Sequence, residues 1–179
     1  KIDDLISHKF PFESAGDAYN VLCGNIKSLG IVLEYKSDFN IQRKTIELND
    51  LNPIDISIEK PAPISFIGAG NYASRVLIPA FKNSGAYLHT IGSQTGNKTV
   101  NIGRKFGFLN ATTDLNSLID NDMCKAVVIT TRHDSHGDLV AKALEAGKHV
   151  FVEKPLCLNI EELHHIQNLL TEKQILMVG

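Results

Sequence analysis

The fold of this chain is decided by one stretch of its sequence, Ile64-Ser65-Phe66-Ile67-Gly68-Ala69-Gly70-Asn71-Tyr72-Ala73. Its first four residues predict a buried β-strand, and the glycines that follow predict a tight turn. Small and apolar residues then recur at helical spacing as far as Phe81, while Pro79 removes one backbone donor. We therefore expect a helix that kinks or ends early at Pro79. A strand, a glycine turn and a helix in this order begin a βαβ unit.

The alternation of strands and helices continues to the end of the chain. Apolar runs predict further strands at residues 87–91, 108–111, 126–129, 150–152 and 175–178. Helical patterns cover residues 100–106 and 114–119, a segment that ends at Gly147, and residues 160–170, which follow a capping box of Asn159 and Glu162. This order predicts a parallel sheet covered by helices on both faces, which is a doubly wound α/β fold.

The residues before Ile64 do not follow this alternation. Residues 2–6 and 29–35 have the composition of strands, and residues 13–22 that of a helix between them. Residues 37–63 are polar and contain three prolines, which is typical of a connector. We therefore divide the chain into a small N-terminal α+β extension (residues 1–36), a linker (residues 37–63) and the doubly wound domain (residues 64–179).

Composition excludes several classes of protein. The chain has 179 residues, of which 43% are hydrophobic and 21% charged, with a formal net charge of −2, so it is globular and shows no basic footprint for nucleic acid. It has no apolar run of about 20 residues for a membrane span and no signal-peptide pattern, so we expect no membrane association and a cytoplasmic location. Its cysteines fit no metal-ligand or disulfide spacing, and we expect no metal site; they are Cys23, Cys124 and Cys157.

The glycine turn carries the chemistry of a dinucleotide site. Gly68 permits the tight turn, Gly70 lets the backbone approach a pyrophosphate, and Ala73 is small enough for close packing of helix on strand. The N–H groups that begin the helix are then free to bind the anion. The alternative is a glycine-rich turn without a ligand. The combination of strand, turn and helix favours a Rossmann NAD(P)-binding domain.

The residue that would distinguish NAD from NADP lies about 20 positions further along. NAD-binding domains place an acidic residue there to bind the ribose hydroxyls. This chain has Ser93, followed by Thr95 and Lys98. Without the carboxylate a 2′-phosphate is not repelled, but no arginine is present in this segment to clamp one. Both NAD and NADP therefore stay open as cofactors.

Two other strands end in polar residues. The strand at residues 126–129 is followed by a segment that contains Thr131, His133 and His136, in which Asp134 or Ser135 would cap the next helix. Residues 150–152 read as a strand buried on both faces, and Glu153, Lys154 and Pro155 follow it. Ligands of open α/β sheets bind beyond the carboxyl ends of the strands, so these side chains and a bound cofactor would meet there. The alternative is a solvated surface pair of Glu153 and Lys154.

The glycine turn, the Thr131–His136 stretch and residues 146–155 together resemble the glucose-fructose oxidoreductase / inositol dehydrogenase / MocA family. The resemblance implies a Rossmann domain followed by an α/β substrate domain, and oxidation or reduction of sugars, sugar-nucleotides or cyclitols with NAD(P). It implies that Lys154 is catalytic and that Pro155 follows a cis peptide bond. Arg132 and His133 replace the usual proline and asparagine. The implied cofactor-binding residues are Gly68, Gly70, Asn71, Tyr72, Ser93, Thr131, His133, His136, Glu153, Lys154 and Pro155.

The N-terminal residues resemble a different family. The segments at residues 5–12 and 30–35, with Ala18-Tyr19, are similar to the carboxyl end of a zinc-type alcohol dehydrogenase-like (medium-chain) reductase. The chain would then be part of a bidomain oxidoreductase whose C-terminal substrate domain lies beyond Gly179. We expect this part to bind a dinucleotide, to turn over little or nothing alone, and to form a homo-oligomer in its full-length protein. A noncatalytic dinucleotide-binding or redox-sensing module is the alternative function.

Overall fold

The computed structural model of the protein describes residues 2–35, 44–48 and 62–179. The chain divides into two compact units, residues 1–42 and 43–179. In the first unit, β1 (His8–Pro11), α1 (Ala15–Cys23) and β2 (Ile31–Glu34) form a small βαβ arrangement in which the two strands pair in parallel. Short 3₁₀ turns occupy Asp3–Leu5 and Phe12–Ser14.

The strand predicted at residues 2–6 is wrong. These residues form the first 3₁₀ turn, which is closed by hydrogen bonds from the Leu5 N–H to the Ile2 carbonyl and from the Ile6 N–H to the Asp3 carbonyl. The strand begins two residues later, at His8. Consecutive acidic residues at positions 3 and 4 favour the first turn of a helix over a strand, because they interact well with its free N–H groups.

The second unit contains a seven-stranded sheet in the order β3-β6-β5-β4-β7-β8-β9. The strands are β3 (Thr45–Glu47), β4 (Pro63–Ile67), β5 (Tyr87–Gly92), β6 (Asn110–Thr112), β7 (Ala126–Ile129), β8 (His149–Val152) and β9 (Leu176–Val178). All neighbours pair in parallel except β3, which is antiparallel to β6. The parallel strands have the doubly wound order that was predicted, with β4 at the centre.

The predicted connector, residues 37–63, contains one strand of this sheet. β3 pairs with β6, and hydrogen bonds extend the pairing from the Leu48 N–H to the Leu109 carbonyl and from the Thr113 N–H to the Lys44 carbonyl. Leu48 packs against the core. The other residues of the connector before Ala62 lie outside the described residues.

Helices cover both faces of the sheet. They are α2 (Ile78–Asn83), which continues from a π-helical turn at Ala73–Leu77, α3 (Gly96–Phe106), α4 (Leu115–Ile119), α5 (His136–Glu145) and α6 (Ile160–Leu169). Alternate residues of the central strands point into two separate cores. Phe66 and Val128 join the cluster on one face, whereas Ile67, Val127 and Ile129 join the cluster on the other. β8 is less buried than predicted, since Phe151 is only half-buried.

The structure also shifts three predicted boundaries. The helix after the glycine turn continues through Pro79. The π-helical turn has already changed the backbone hydrogen bonding there, because the Ile78 N–H donates to the Ala73 carbonyl, five residues earlier. α3 begins at Gly96 rather than at residue 100. β6 begins at Asn110 rather than at residue 108, because the Phe108 N–H donates to the Gly103 carbonyl across the left-handed Gly107 and belongs to the end of α3.

Candidate functional site

The register of the sheet aligns the carboxyl ends of the central strands. Ile67 of β4 pairs with Gly92 of β5 and with Ile129 of β7, and Ile129 pairs with Val152 of β8. The residues that follow each of these strands therefore lie along one edge of the sheet. β5 and β6 lie on one side of β4, whereas β7, β8 and β9 lie on the other. The place between β4 and β7 where the strand order reverses is the switch point, and ligands of doubly wound sheets bind there.

The glycine turn after β4 is shaped by its backbone. Gly68 has a φ of 113°, and its N–H donates to the Gly92 carbonyl at 2.8 Å. A Cβ at Gly68 would lie 2.5 Å from Thr130 Oγ1 and 2.7 Å from the Thr130 carbonyl oxygen. Thr130 in turn donates its hydroxyl to the carbonyls of Ile67 and Gly68, both at 3.2 Å. The turn is thus closed on the β7 side, and only glycine fits.

Gly70 differs from Gly68 in having open space around it. No atom lies within 4 Å of the position of a Cβ there, and Gly70 borders a cleft. Ala73, the first residue of the π-helical turn, is almost completely buried. A backbone that borders the cleft at Gly70 and is followed by a helix N-terminus fits a phosphate group that approaches it closely. The residues of the turn therefore suit the pyrophosphate of a dinucleotide.

The cleft beside the turn has a volume of about 810 Å³. It is formed by residues from the ends of β4, β5 and β7 and from three helices. Of the predicted site residues it brings together Gly68, Gly70, Ser93 and Thr131. Other predicted residues are not part of its lining, namely Asn71, Tyr72, His133, His136, Glu153, Lys154 and Pro155.

Several residues of the cleft were not anticipated from the sequence. They include Asn116 of α4 and Asp138 and Lys142 of α5. Asp138 and Lys142 have i,i+4 spacing and lie on the exposed side of an amphipathic helix, which is the ordinary pattern of a solvated helix face. Only knowledge of the topology would have indicated that this face borders the cleft.

Ser93 is held in a network of hydroxyl groups. Its Oγ lies 2.5 Å from Thr99 Oγ1 and 3.2 Å from Thr95 Oγ1, and it accepts a hydrogen bond from the Thr95 N–H. Lys98 lines the same part of the cleft and is exposed. The carboxylates in the cleft lining belong to Asp134 and Asp138, which lie on the β7–α5 side. No carboxylate of the cleft lining therefore lies on the side of Ser93.

The loop after β7 differs from the prediction in how the next helix begins. A 3₁₀ turn at His133–Ser135 precedes α5, and neither Asp134 nor Ser135 provides a side-chain cap. The Ser135 hydroxyl instead donates to Thr131 Oγ1 at 2.7 Å and to the Arg132 carbonyl at 2.8 Å. Ser135 is the N-cap residue of α5, as predicted, but its hydroxyl closes the loop that leads into the helix and bonds to no N–H of the helix.

His136 lies beneath this edge of the sheet rather than in the cleft. Its side chain is completely buried. Its Nδ1 lies 2.7 Å from the Pro155 carbonyl oxygen and its Nε2 lies 3.1 Å from the Thr131 carbonyl oxygen. The exposed His133 ring packs edge-on against it, with the ring centres 5.7 Å apart. His136 thus contacts both strand-end loops through their backbones.

Lys154 follows β8 at the same edge. The Glu153 N–H donates to the Ile129 carbonyl at 3.0 Å, and the Lys154 N–H donates to the Gly179 carbonyl at 3.1 Å. The side chain of Lys154 is exposed, and it forms no hydrogen bond or ion pair with any residue that the structure describes. The peptide bond between Lys154 and Pro155 is cis, which confirms that prediction.

The cysteines are unpaired thiols in the structure. Cys124 is buried, and burial raises the pKa of its thiol, whose sulfur accepts a hydrogen bond from Ser65. Burial and the nearby Glu162 raise the pKa of Cys157. Within residues 2–35, 44–48 and 62–179, no three His, Cys, Asp or Glu side chains are grouped as metal ligands. No helix in these ranges combines the length and the hydropathy of a membrane span.

The parallel sheet, its switch point and the open glycine turn together define a dinucleotide-binding domain of the Rossmann type. Residues 63–179 match the family described as "Oxidoreductase family, NAD-binding Rossmann fold" (GFO_IDH_MocA). Because the match covers well over half of the chain, the chain belongs to this family. The resemblance that was predicted for the main domain is confirmed.

Known proteins resemble the chain over the same region. Oxidoreductase P35 of Formosa agariphila is 36% identical over 107 residues, which are 59% of this chain and 32% of that protein. The scyllo-inositol 2-dehydrogenase (NAD(+)) of Bacillus subtilis is 33% identical over 93 residues, which are 52% and 27% of the two chains. The chain spans between about a quarter and a third of the length of these two curated relatives.

A solved structure supports the fold. A 3-ketoreductase from Actinomadura kijaniata, in complex with TDP-benzene and NADP, has a TM-score of 0.61 and 25% sequence identity to this chain. The alignment covers 66% of this chain and 38% of the ketoreductase.

Proposed function

We propose that this chain is the cofactor-binding part of an NAD(P)-dependent oxidoreductase. The reaction is hydride transfer between the nicotinamide and a hydroxyl or carbonyl carbon of a sugar, sugar-nucleotide or cyclitol. One observation carries the proposal: the open backbone at Gly70 borders a cleft on the sheet edge where the exposed Lys154 follows β8, with no side-chain partner among the described residues. The names of the relatives, an inositol dehydrogenase and a 3-ketoreductase, support the class of substrate.

The roles of the residues follow from their positions. The Gly68–Gly70 backbone and the helix that follows it bind the pyrophosphate, and Thr131 borders the cleft at the switch point. The bound cofactor supplies the hydride chemistry. Lys154 holds or moves the proton of the reacting hydroxyl at its Nζ, while Glu153 and Pro155 set the backbone on either side of it. Asn71, Tyr72 and His133 are exposed at the same edge and are proposed to contact the cofactor from there.

We propose further that the site accepts NADP. Ser93 takes the position of the acidic residue that binds ribose hydroxyls in NAD-specific domains. A carboxylate there would repel a 2′-phosphate, whereas the hydroxyls of Ser93 and Thr95 and the ammonium of Lys98 are able to donate hydrogen bonds to one.

Calorimetric titration of the chain with NAD, NADH, NADP and NADPH tests both proposals. We expect binding, with NADP(H) at least as tight as NAD(H). Ser93→Asp should weaken NADP binding by about tenfold or more, which is about 1.4 kcal/mol, and should spare NAD. Asn97→Asp adds the same charge outside the cleft lining and serves as the control. No binding of any dinucleotide would overturn the proposed function, and a strong preference for NAD would overturn the proposed cofactor alone.

The chemical role of Lys154 is tested in the full-length protein. Lys154→Met should lower kcat by roughly 10²–10⁴-fold, the usual contribution of a general acid–base group, and should change the Kd of the dinucleotide by less than about threefold. An unchanged kcat would remove Lys154 from the reaction. A wild-type protein that binds the dinucleotide but turns over no sugar or cyclitol would favour the redox-sensing module instead.

We also propose that the first unit derives from the carboxyl end of a medium-chain reductase. The motif similarity of residues 5–12 and 30–35 supports this origin. The coding sequence upstream of Lys1 provides the test, because it should contain the remainder of such a reductase. The homo-oligomeric state and the cytoplasmic location stay predictions.

A further inference from the structure

His136 occupies an unusual position for a polar side chain. It is completely buried, yet both of its ring nitrogens face backbone carbonyl oxygens, that of Pro155 at 2.7 Å and that of Thr131 at 3.1 Å. A neutral imidazole has only one N–H to donate. The shorter contact is the one from Nδ1, so we assign the donated hydrogen to Nδ1 and its acceptor to the Pro155 carbonyl.

The two carbonyls belong to different strand-end loops. Thr131 follows β7 and lines the cleft. Pro155 follows β8 and is bonded directly to Lys154 through the cis peptide. The last backbone hydrogen bond between these strands runs from the Glu153 N–H to the Ile129 carbonyl. Beyond it, the imidazole of His136 lies between the Thr131 carbonyl, on the wall of the cleft, and the carbonyl of the residue that follows Lys154.

The loop that carries Lys154 (residues 153–159, the Lys154 loop) is also fixed at its far end, by residues of α5 and α6. Glu162, in the first turn of α6, accepts a hydrogen bond from the Leu158 N–H at 2.9 Å and another from Asn159 Nδ2 at 2.7 Å. The carboxylate fits there because the neighbouring helix has Gly137 at this point; a Cβ on Gly137 would lie 2.6 Å from Glu162 Oε2. Consecutive residues of α5, His136 and Gly137, therefore set both ends of the loop.

We propose that His136 is a positioning residue that holds Lys154 in place relative to the cofactor cleft by donating its Nδ1–H to the Pro155 carbonyl. His136 touches neither substrate nor cofactor in this role. The inference rests on the proposed function for its purpose, although the contact itself does not. The bond fixes the residue after Lys154 against the start of α5, because leaving the buried Nδ1–H without an acceptor is costly.

A pair of substitutions separates the two contacts of the ring. The amide of asparagine places an N–H near the position of Nδ1, and the amide of glutamine places one near the position of Nε2. His136→Asn should therefore keep the bond to the Pro155 carbonyl, whereas His136→Gln should lose it and place its N–H toward the Thr131 carbonyl instead. The signal of Lys154 is followed by NMR after reductive ¹³C-methylation of the lysines and is assigned with Lys154→Arg.

We expect His136→Asn to keep the wild-type ¹³C-methyl shift of Lys154 and the change in that shift on addition of NADP. His136→Gln should alter both, and the Tm values of the two variants should be similar. Identical Lys154 signals in both variants would overturn the proposal. Equal changes of the Lys154 shift in both variants, in proportion to their loss of Tm, would also overturn it, because a merely structural role would have that effect.

The wild-type protein provides a test that does not depend on the variants folding. The ring of His136 should show a hydrogen on Nδ1 and a coupling through the hydrogen bond from ¹⁵Nδ1 to the ¹³C carbonyl of Pro155. A ring protonated on Nε2 alone overturns the proposal whatever the variants do. These measurements need no cofactor, so their failure is distinct from failure of the proposed function, which would appear as a wild-type protein that binds no dinucleotide.

Discussion

The two sides of the switch point are built by different means. On the β4–β5 side the proposed phosphate site is backbone, shaped by the left-handed Gly68 and left open at Gly70. On the β7–β8 side the proposed proton-transfer group is a side chain, that of Lys154, whose loop is held by buried or half-buried polar groups of α5 and α6. The first side depends on the absence of side-chain atoms at its glycines, and the second depends on hydrogen bonds to the loop that carries Lys154.

The difference predicts how each side fails. A site made of backbone should be disrupted when one carbon atom is added to a glycine, whereas most changes of surface charge should leave it intact. A side chain held by hydrogen bonds responds to the loss of a donor or an acceptor two residues away. Substitutions that add one methyl group to each side therefore test the comparison directly.

Gly68→Ala should have the largest effect. Alanine is strained at a φ of 113°, at a cost of about 1–3 kcal/mol, and its Cβ would overlap the Thr130 backbone, which adds about 1–3 kcal/mol. We expect the free energy of unfolding to fall by roughly 2–6 kcal/mol, measured by urea denaturation, and dinucleotide binding to be lost. A variant as stable as wild type would show that the turn is not closed by Thr130.

Gly70→Val should separate binding from stability. The space around Gly70 is open, so the free energy of unfolding should change by less than about 0.5 kcal/mol. The added side chain would occupy the space through which a pyrophosphate reaches the backbone, and the Kd should rise at least about tenfold. Calorimetry and urea denaturation on the same sample provide the two values. Unchanged affinity would place the phosphates elsewhere.

Gly137→Ala applies the same change to the Lys154 side. The added Cβ would displace the Glu162 carboxylate from the Leu158 N–H, a loss of about 1.5–3 kcal/mol that is partly offset by about 1 kcal/mol of helix propensity. We expect a net destabilisation of about 1 kcal/mol. In a Glu162→Ala background the same substitution should be neutral or stabilising. An equal loss in both backgrounds would mean that Glu162 is not the partner affected.

Asp114 belongs to neither side and should give the smallest effect. The Asp114 carboxylate caps α4 through the Ser117 N–H and pairs with Lys44 at 3.3 Å, and these contacts lower its pKa. A lowered pKa means that the carboxylate stabilises the folded state at neutral pH and stops doing so as the pH falls below about 4. Asp114→Asn keeps a capping acceptor, so its Tm should be slightly lower than wild type at pH 7 and equal to it in acid. A difference that grows in acid would contradict this sign.

The sequence predicted the parts of the site that local motifs carry. The glycine turn and the Lys154–Pro155 step each depend on residues adjacent in the chain, and both lie at the predicted edge of the sheet. The predicted Asn159 cap of α6 is also confirmed, since Asn159 Oδ1 accepts from the Glu162 N–H three residues away; the Glu162 carboxylate, however, accepts from the Leu158 N–H rather than from that of Asn159. Such features depend mainly on residues that are close together in the sequence.

Features that depend on tertiary packing were not predictable. The 3₁₀ turn at His133–Ser135 sets the face on which His136 lies, and that turn uses Ser135 in a way that sequence spacing does not reveal. Asn116 and Lys142 reach the cleft from helix surfaces without a motif. β3 has only three residues, all of them exposed, and its partner β6 lies more than sixty positions away, so no periodicity marks it.

β3 has a practical consequence for anyone who expresses the domain by itself. The family match begins at residue 63, but the compact unit begins at residue 43 and includes β3. A polypeptide cut at residue 63 would leave the backbone edge of β6 without its antiparallel neighbour and would remove Leu48 from the core. Sheet edges recruit other chains, and this shorter version exposes both the edge of β6 and the core surface that Leu48 packs against, so it should aggregate more readily than one that starts at residue 43.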